Sequence, residues 1–184
     1  FQKVDGIKMR RKYRFRSYNK RFDENTPIFF EEKIRNNDRT FKHRLEINEE
    51  VLHFLSNQGF EYKIKQLYGD IKFIDRFLFC KLKNDIKPKV KVFYIRKPYI
   101  SNHDMNFRIT FDSSIQAAKT NQLFSEDKEY WKMCVPGKTI LEVKFFRRVP
   151  VWFHKILQKH NLERCSISKF CLGMSSTGQA IDLG

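Results

Sequence analysis

The sequence predicts an α+β domain: an antiparallel sheet with one charged and one apolar face, backed by helices and able to curl into a barrel or tunnel. Two observations carry this reading. Four segments alternate charged with large apolar residues: Lys12-Tyr13-Arg14-Phe15-Arg16, Phe30-Glu31-Glu32-Lys33-Ile34-Arg35, Asn106-Phe107-Arg108-Ile109-Thr110-Phe111-Asp112 and Leu141-Glu142-Val143-Lys144-Phe145. Side chains change faces at each step along a strand, so each segment offers a charged side and a greasy side. The second observation is order: strands, a pair of helices, strands, then a helix.

Taken along the chain, Asp5-Gly6 reads as a turn into a strand over residues 8–18. Residues 19–27 are a polar connection and 28–35 the next strand. Asn36-Asn37-Asp38 has turn composition and leads into a strand at 40–45. From Asn48 the spacing becomes helical, through Val51, Leu52, Phe54 and Leu55, and Asn57-Gln58-Gly59 ends it. Residues 70–83 form a second helix, with Ile71, Ile74, Phe77, Leu78 and Leu82 at helical spacing. The aromatic stretch 73–79 within it has no assigned role. Pro88 opens a strand to Pro98 that sets Val90, Val92, Tyr94 and Arg96 on one face. A strand at 106–112, a loop through Gly137 and a strand at 138–146 follow. Val149-Pro150 starts a helix to about residue 159, which Trp152 is expected to anchor on the sheet, and 168–174 form a short closing helix. No internal repeat and no second domain is expected, so 1–184 reads as a single domain.

The 184 residues hold 37 Lys and Arg against 21 Asp and Glu, a formal net charge of +16. Such a charge attracts polyanions: nucleic acid, anionic membrane or phosphate chains. The bases are spread through the strands, which favours a groove-like or internal basic surface over a basic tail. The 19 Phe, 7 Tyr and 2 Trp give ample bulk for a core and exclude wholesale disorder. Cys80, Cys134, Cys165 and Cys171 form no C-x-x-C pair and no zinc spacing, so free thiols in a reducing compartment are expected. No secretory signal and no apolar run near ~18 residues is present, so a soluble, cytosol-facing cytoplasmic domain is expected. His154 and His160 stand six apart on different sides of a helix and make no metal pair. Any use of ATP is not of the P-loop type, because no G-x-x-x-x-G-K-[ST] string occurs.

Arginine presents a planar fork to phosphate oxygens and lysine a compact point charge, so converging basic strands can hold a phosphate chain by many contacts. Glu31 and Glu142 would be out of place in a purely anion-binding groove. They make sense where a divalent cation is held between carboxylate and phosphate, since hard cations choose oxygen ligands. Taken singly, each E-x-K pair reads as a cross-strand ion pair on a solvated face. Lys42 and Arg44 either add to the charged face or sit on a solvated hairpin arm. A nucleic-acid module needs aromatics on the charged face for base stacking. Here they lie mostly opposite the bases, Tyr94 beside Arg96 being the main exception, so no nucleic-acid partner is expected.

The strings RRKYRFRSY, FFEEKIR, VFYIRKPYI, FRITFD, ILEVKFFRRVPVWF and SISKFCLGM occur in this order from about residue 5 to 174. Together they resemble the VTC domain of polyphosphate polymerases, within the triphosphate tunnel (CYTH-like) superfamily. The resemblance implies an antiparallel β-tunnel with a basic lumen and helices outside. It also implies metal-dependent transfer of the ATP γ-phosphate onto a polyphosphate chain, with Mn²⁺ or Mg²⁺ as cofactor. Relatives in the superfamily instead hydrolyse triphosphate or cyclise ATP, and a catalytically inactive module that binds polyphosphate or inositol phosphate is a further alternative. The implied partners are ATP and inorganic polyphosphate or triphosphate, with room for membrane-associated subunits outside this chain.

By motif, Lys12, Arg14 and Arg16 match the family's basic phosphate-gripping strand, and Glu31 and Lys33 its E-x-K strand. Arg96 matches the arginine of the Y-x-R strand, Arg108 that of R-x-T-F-D, and Lys169 the lysine of S-K-F. Glu142 matches the metal ligand of the L-E-V-K strand, with Lys144 beside it and Glu31 as a second metal ligand. Of these, Arg14, Arg16, Lys33, Arg108 and Lys144 are the expected catalytic group. The family has one or two further strands ahead of the position of Phe1, another basic one among them, so the sequence reads as starting inside the domain.

Overall fold

The computed structural model describes residues 9–19, 21–37, 39–53, 59–124 and 129–179. The Asp5-Gly6 turn, Asp38, the helix end at 54–58 and the residues around Phe1 lie outside the described residues. The described part is a mixed α+β structure with antiparallel sheets and five helices. The chain divides into two compact units, Phe1–Lys89 with Thr120–Lys128, and Val90–Lys119 with Glu129–Gly184.

The first unit holds a three-stranded sheet, β1 (Met9–Ser17), β2 (Ile28–Asn36) and β3 (Arg39–Ile47), in that order. Asn37 joins β2 to β3 at φ 50°, a left-handed conformation that asparagine tolerates. Helices α1 (Glu49–His53), α2 (Phe60–Tyr68) and α3 (Lys72–Asn84) follow. The greasy side of the strands supplies Ile28, Phe30 and Ile47 to a core completed by Val51, Phe60, Ile64, Phe73, Ile74 and Phe77. The aromatic helix thereby gains its role: Phe73 and Phe77 pack on Phe30 at centroid separations of 5.7 and 4.8 Å. Helix α2 occupies a stretch for which no element is expected. It buries only Phe60 and Ile64, one turn apart, among polar neighbours, and so short a pattern carries little periodic signal.

Three charged residues share this side, Arg11, Glu32 and Arg39. Glu32 is fully buried, and its carboxylate accepts from Tyr13 Oη at 3.1 Å and Arg76 Nη2 at 2.8 Å, with His43 Nδ1 at 3.0 Å. Burial, with Cys80 and Glu32 as neighbours, pushes the Tyr13 hydroxyl well above the ordinary tyrosine range. Tyr13, Glu32 and His43 come from the three strands and Arg76 from α3, so the network bolts the helix to the sheet.

The second unit pairs β4 (Lys91–Ile100) with β5 (Arg108–Ala118), and β5 in turn with β6 (Lys132–Met133) and β7 (Ile140–Lys144), all antiparallel. β5 runs six residues beyond the expected strand end through a bulge: the register shifts between Phe93 and Ile95, and Ser114 sits at φ 50°. One extra residue reverses the alternation. Arg108, Thr110 and Asp112 therefore share a face with Ala117, which would otherwise point to the other side. Helix α5 (Lys169–Ser176), capped by Ser168 Oγ accepting from Cys171 N–H, lies on that face. Gly173 makes the close approach possible, since a Cβ there would meet Val92, Ala117 and Val90 at 3.0–3.2 Å. Helix α4 (Val151–Lys159) covers Phe107 on the opposite face with Phe153, at 5.2 Å between centroids. Phe153 is thus the buried anchor of this helix. Trp152 touches Phe107 at 5.6 Å but stays 56% exposed, against the expectation of a core role.

Candidate functional site

In the first unit the register gathers the expected bases on one face. Lys12, Lys33 and Lys42 lie in one row across the three strands, and Arg14, Glu31 and Arg44 in the next. Arg10, Arg16 and Arg35 share the face, on which the acids are Glu31 and Glu46. Lys42 and Arg44 therefore belong to the charged face rather than to a solvated arm. The register could have been counted from the Asn36–Asp38 turn, which sets Lys42 opposite Lys33.

Glu31 is the hub of this face. Although only 2% exposed, its Oε2 pairs with Arg14 Nε, and its Oε1 with Arg44 Nη2 at 2.6 Å and Lys42 Nζ at 3.2 Å. Burial pushes its carboxyl upward. The charge of Arg14 and the hydrogen bonds of Arg44, Arg14 and Lys42 overcome that push and hold it at about 2. Arg44 also lies over the Phe29 ring at 4.5 Å and donates to Tyr18 Oη at 3.1 Å, which fixes its fork from three sides. Among the described residues Lys12 has no ion pair.

In the second unit Arg96, Arg108, Asp112, Glu142, Lys144 and Lys169 come together. Arg96 and Asp112 are direct cross-strand partners, as are Arg108 and Lys144, and Thr110 and Glu142. Asp112 is fully buried, and Arg96 grips it with two bonds of 2.7 Å while Lys169 Nζ reaches it at 2.6 Å. Arg96 and Lys169 also lie against the Tyr94 ring, at 5.4 and 5.0 Å. Sequence reading placed Asp112 on this face but missed its role as the counter-ion that positions both cations. Glu142 is held more loosely, by Arg96 at 3.0 Å and Lys144 at 3.5 Å, and its side chain is 38% exposed. Burial raises both carboxyls, and the neighbouring cations more than offset it, so Asp112 and Glu142 titrate below the ordinary range. Among the described residues Arg108 has no ion pair. Thr110 Oγ1 is buried with no hydrogen-bond partner, beside Glu142.

Each face is thus a set of cations held in place by its own acids. Among the described residues, no three His, Cys, Asp or Glu side chains gather into a metal cage. A family model, the VTC domain, matches residues 1–177 of the chain. The chain belongs to the VTC domain family. Membership brings with it a polyphosphate-related function. No curated protein matches the chain. On the first face arginine and lysine occupy alternate strand positions, with Glu31 and Glu46 as the acids. No helix among the described residues is long and apolar enough to cross a membrane.

Proposed function

We propose that this VTC domain is a polyphosphate polymerase that transfers the ATP γ-phosphate to a growing polyphosphate chain within a basic β-tunnel. The observation that carries the reading is the register of the first sheet. It aligns Arg10, Lys12, Arg14, Arg16, Lys33, Arg35, Lys42 and Arg44 on one face, against Glu31 and Glu46. Alternate strand residues rise about 6.6–6.8 Å, so successive rows of cations can meet a polymer of phosphates at regular intervals. Non-specific attraction would not require such alignment.

Glu142 and Thr110 fit a divalent cation. Magnesium-like ions use one or two carboxylates and complete their shell with phosphate oxygens and water. Glu142 is the accessible carboxylate, and the unpartnered Thr110 hydroxyl is a further oxygen beside it. Glu31 fits less well, since Arg14, Lys42 and Arg44 already claim both its oxygens. The ion, Mn²⁺ or Mg²⁺, would neutralise charge on the transferred phosphoryl group. Arg108 and Lys144 would hold the reacting phosphates, and Asp112 would aim Arg96 and Lys169 at them. Arg14 and Arg44, steadied by Glu31, would hold the chain. In such a transfer, catalysis is positioning and electrostatic stabilisation, which these residues supply without a nucleophile of their own.

Incubating the protein with ATP and Mn²⁺ or Mg²⁺ tests the reading. Polymer growth is expected. Free phosphate without polymer would make the protein a triphosphatase, and binding of tripolyphosphate without either product would make it an inactive binding module.

A further inference from the structure

The stretch from Phe145 to Leu162 has no part in the proposed reaction, yet it has an unusual surface. Phe146 is 76% exposed, Val151 70%, Trp152 56%, Phe145 45% and Ile156 42%. On α4, Val151, Trp152, Lys155, Ile156 and Lys159 recur at helical spacing and form one solvent-facing stripe, opposite the buried Phe153. Arg147 and Arg148 precede it, Arg147 stacked on the Phe146 ring at 5.6 Å. No Asp or Glu occurs between Phe145 and Leu162. Among the described residues Arg147, Arg148, Lys155 and Lys159 have no ion pair, so the positive charge there is uncompensated.

We infer that this stripe, with the preceding Phe145-Phe146-Arg147-Arg148 turn, is a docking surface for an anionic lipid bilayer. Exposed Phe and Trp interleaved with Arg and Lys match the boundary of such a bilayer, where apolar side chains enter the acyl edge and cations meet lipid phosphates and carboxylates. A free phosphate chain would satisfy the cations and leave Phe146 and Val151 in water. Nucleic acid would use stacked rings, and the aliphatic Val151 and Ile156 offer none. The inference is independent of the reaction proposed above, because none of its residues lies in either charged face.

Vesicle flotation tests it, with phosphatidylserine–phosphatidylcholine against phosphatidylcholine alone. Because the whole chain is basic, the decisive variants alter either greasy contact or the position of charge. Phe146→Ser with Val151→Ser changes no charge and is expected to lower partition to anionic vesicles by about tenfold or more. Arg147→Gln with Arg148→Gln is expected to weaken partition, whereas Lys119→Gln with Lys138→Gln, the same loss of charge at exposed positions elsewhere, is not. In a Trp131→Phe variant Trp152 is the sole tryptophan, and brominated phosphatidylserine should quench it; this readout needs no change in the stripe and decides the matter if the serine variant fails to fold. Unchanged partition of the folded serine variant, equal losses from the two charge-matched pairs, or an unquenched Trp152 would overturn the inference. So would a stripe-dependent dimer, or RNA bound through the stripe, in a protein that ignores anionic vesicles.

Discussion

The two units solve one problem, a carboxylate amid bases, in different ways. On the first sheet Glu31 is sunk among Arg14, Lys42 and Arg44, and both its oxygens are taken. On the second the acids divide the work. Asp112 is buried and gripped by Arg96 and Lys169, while Glu142 remains part-exposed at the end of two longer contacts. A carboxylate whose oxygens are all occupied positions its cations; one held at 3.0 and 3.5 Å keeps capacity for a further partner. Identical E-x-K spelling at Glu31-Glu32-Lys33 and Glu142-Val143-Lys144 therefore encodes two roles.

The largest effect should come from breaking the locked acid. Arg96→Ala leaves buried Asp112 with Lys169 alone, and a loss of about 3–5 kcal/mol in urea unfolding is expected. An Arg96→Ala protein as stable as wild type would remove the distinction between locked and open acids. Glu31→Gln comes next. The Glu31 carboxyl falls from an ordinary 4.5 to about 2 in the fold. Its contribution is therefore complete above pH 4.5 and fades as pH drops toward 2, on the order of 3 kcal/mol in all. Unfolding across that window should show a flatter pH slope in Glu31→Gln than in wild type, with an unchanged metal titration.

Glu142→Gln should do the reverse. Turnover is expected to fall about 100-fold with the loss of an ion ligand, while tripolyphosphate binding holds or tightens because a negative charge has gone. Equal metal dependence in both glutamine variants would collapse the comparison. The smallest effects belong to single phosphate contacts. Arg14→Ala and Arg108→Ala should each weaken tripolyphosphate binding by about tenfold. Only Arg14→Ala should also cost stability, because Arg108 has no ion pair to lose; calorimetric titration alongside thermal melts separates the two.

Period-two alternation made the strands and their faces legible, since Arg108, Thr110 and Asp112 can share a side only in a strand. The L-E-V-K and R-x-T-F-D strings led to Glu142 and Arg108 for the same reason. What stayed hidden depended on partners distant in sequence. Arg76 lies 44 residues from Glu32, and no local pattern marks the pair. Ser114 looks like an ordinary loop serine, because a bulge is set by the pairing of two strands. Trp152 misled because size argues for burial, whereas the packing of α4 chose Phe153 one residue on.

The Glu32 network has a consequence for how the first sheet finds its alignment. A slide of β2 by one residue would turn every side chain to the wrong face, which the core forbids. A slide by two keeps the faces, and Glu31 would still meet a base, because Lys12 and Arg16 flank Arg14 on β1, and Lys42 flanks Arg44 on β3. The charged face alone is thus nearly blind to such an error. Glu32 is not: Tyr13, His43 and Arg76 offer their polar atoms at one position, and a Glu32 slipped into the place of Phe30 would lie between Phe15 and Leu45 with none of them. A lattice of repeating cations carries no unique ruler of its own, and this single buried carboxylate on the far side supplies the mark against which the strands are measured.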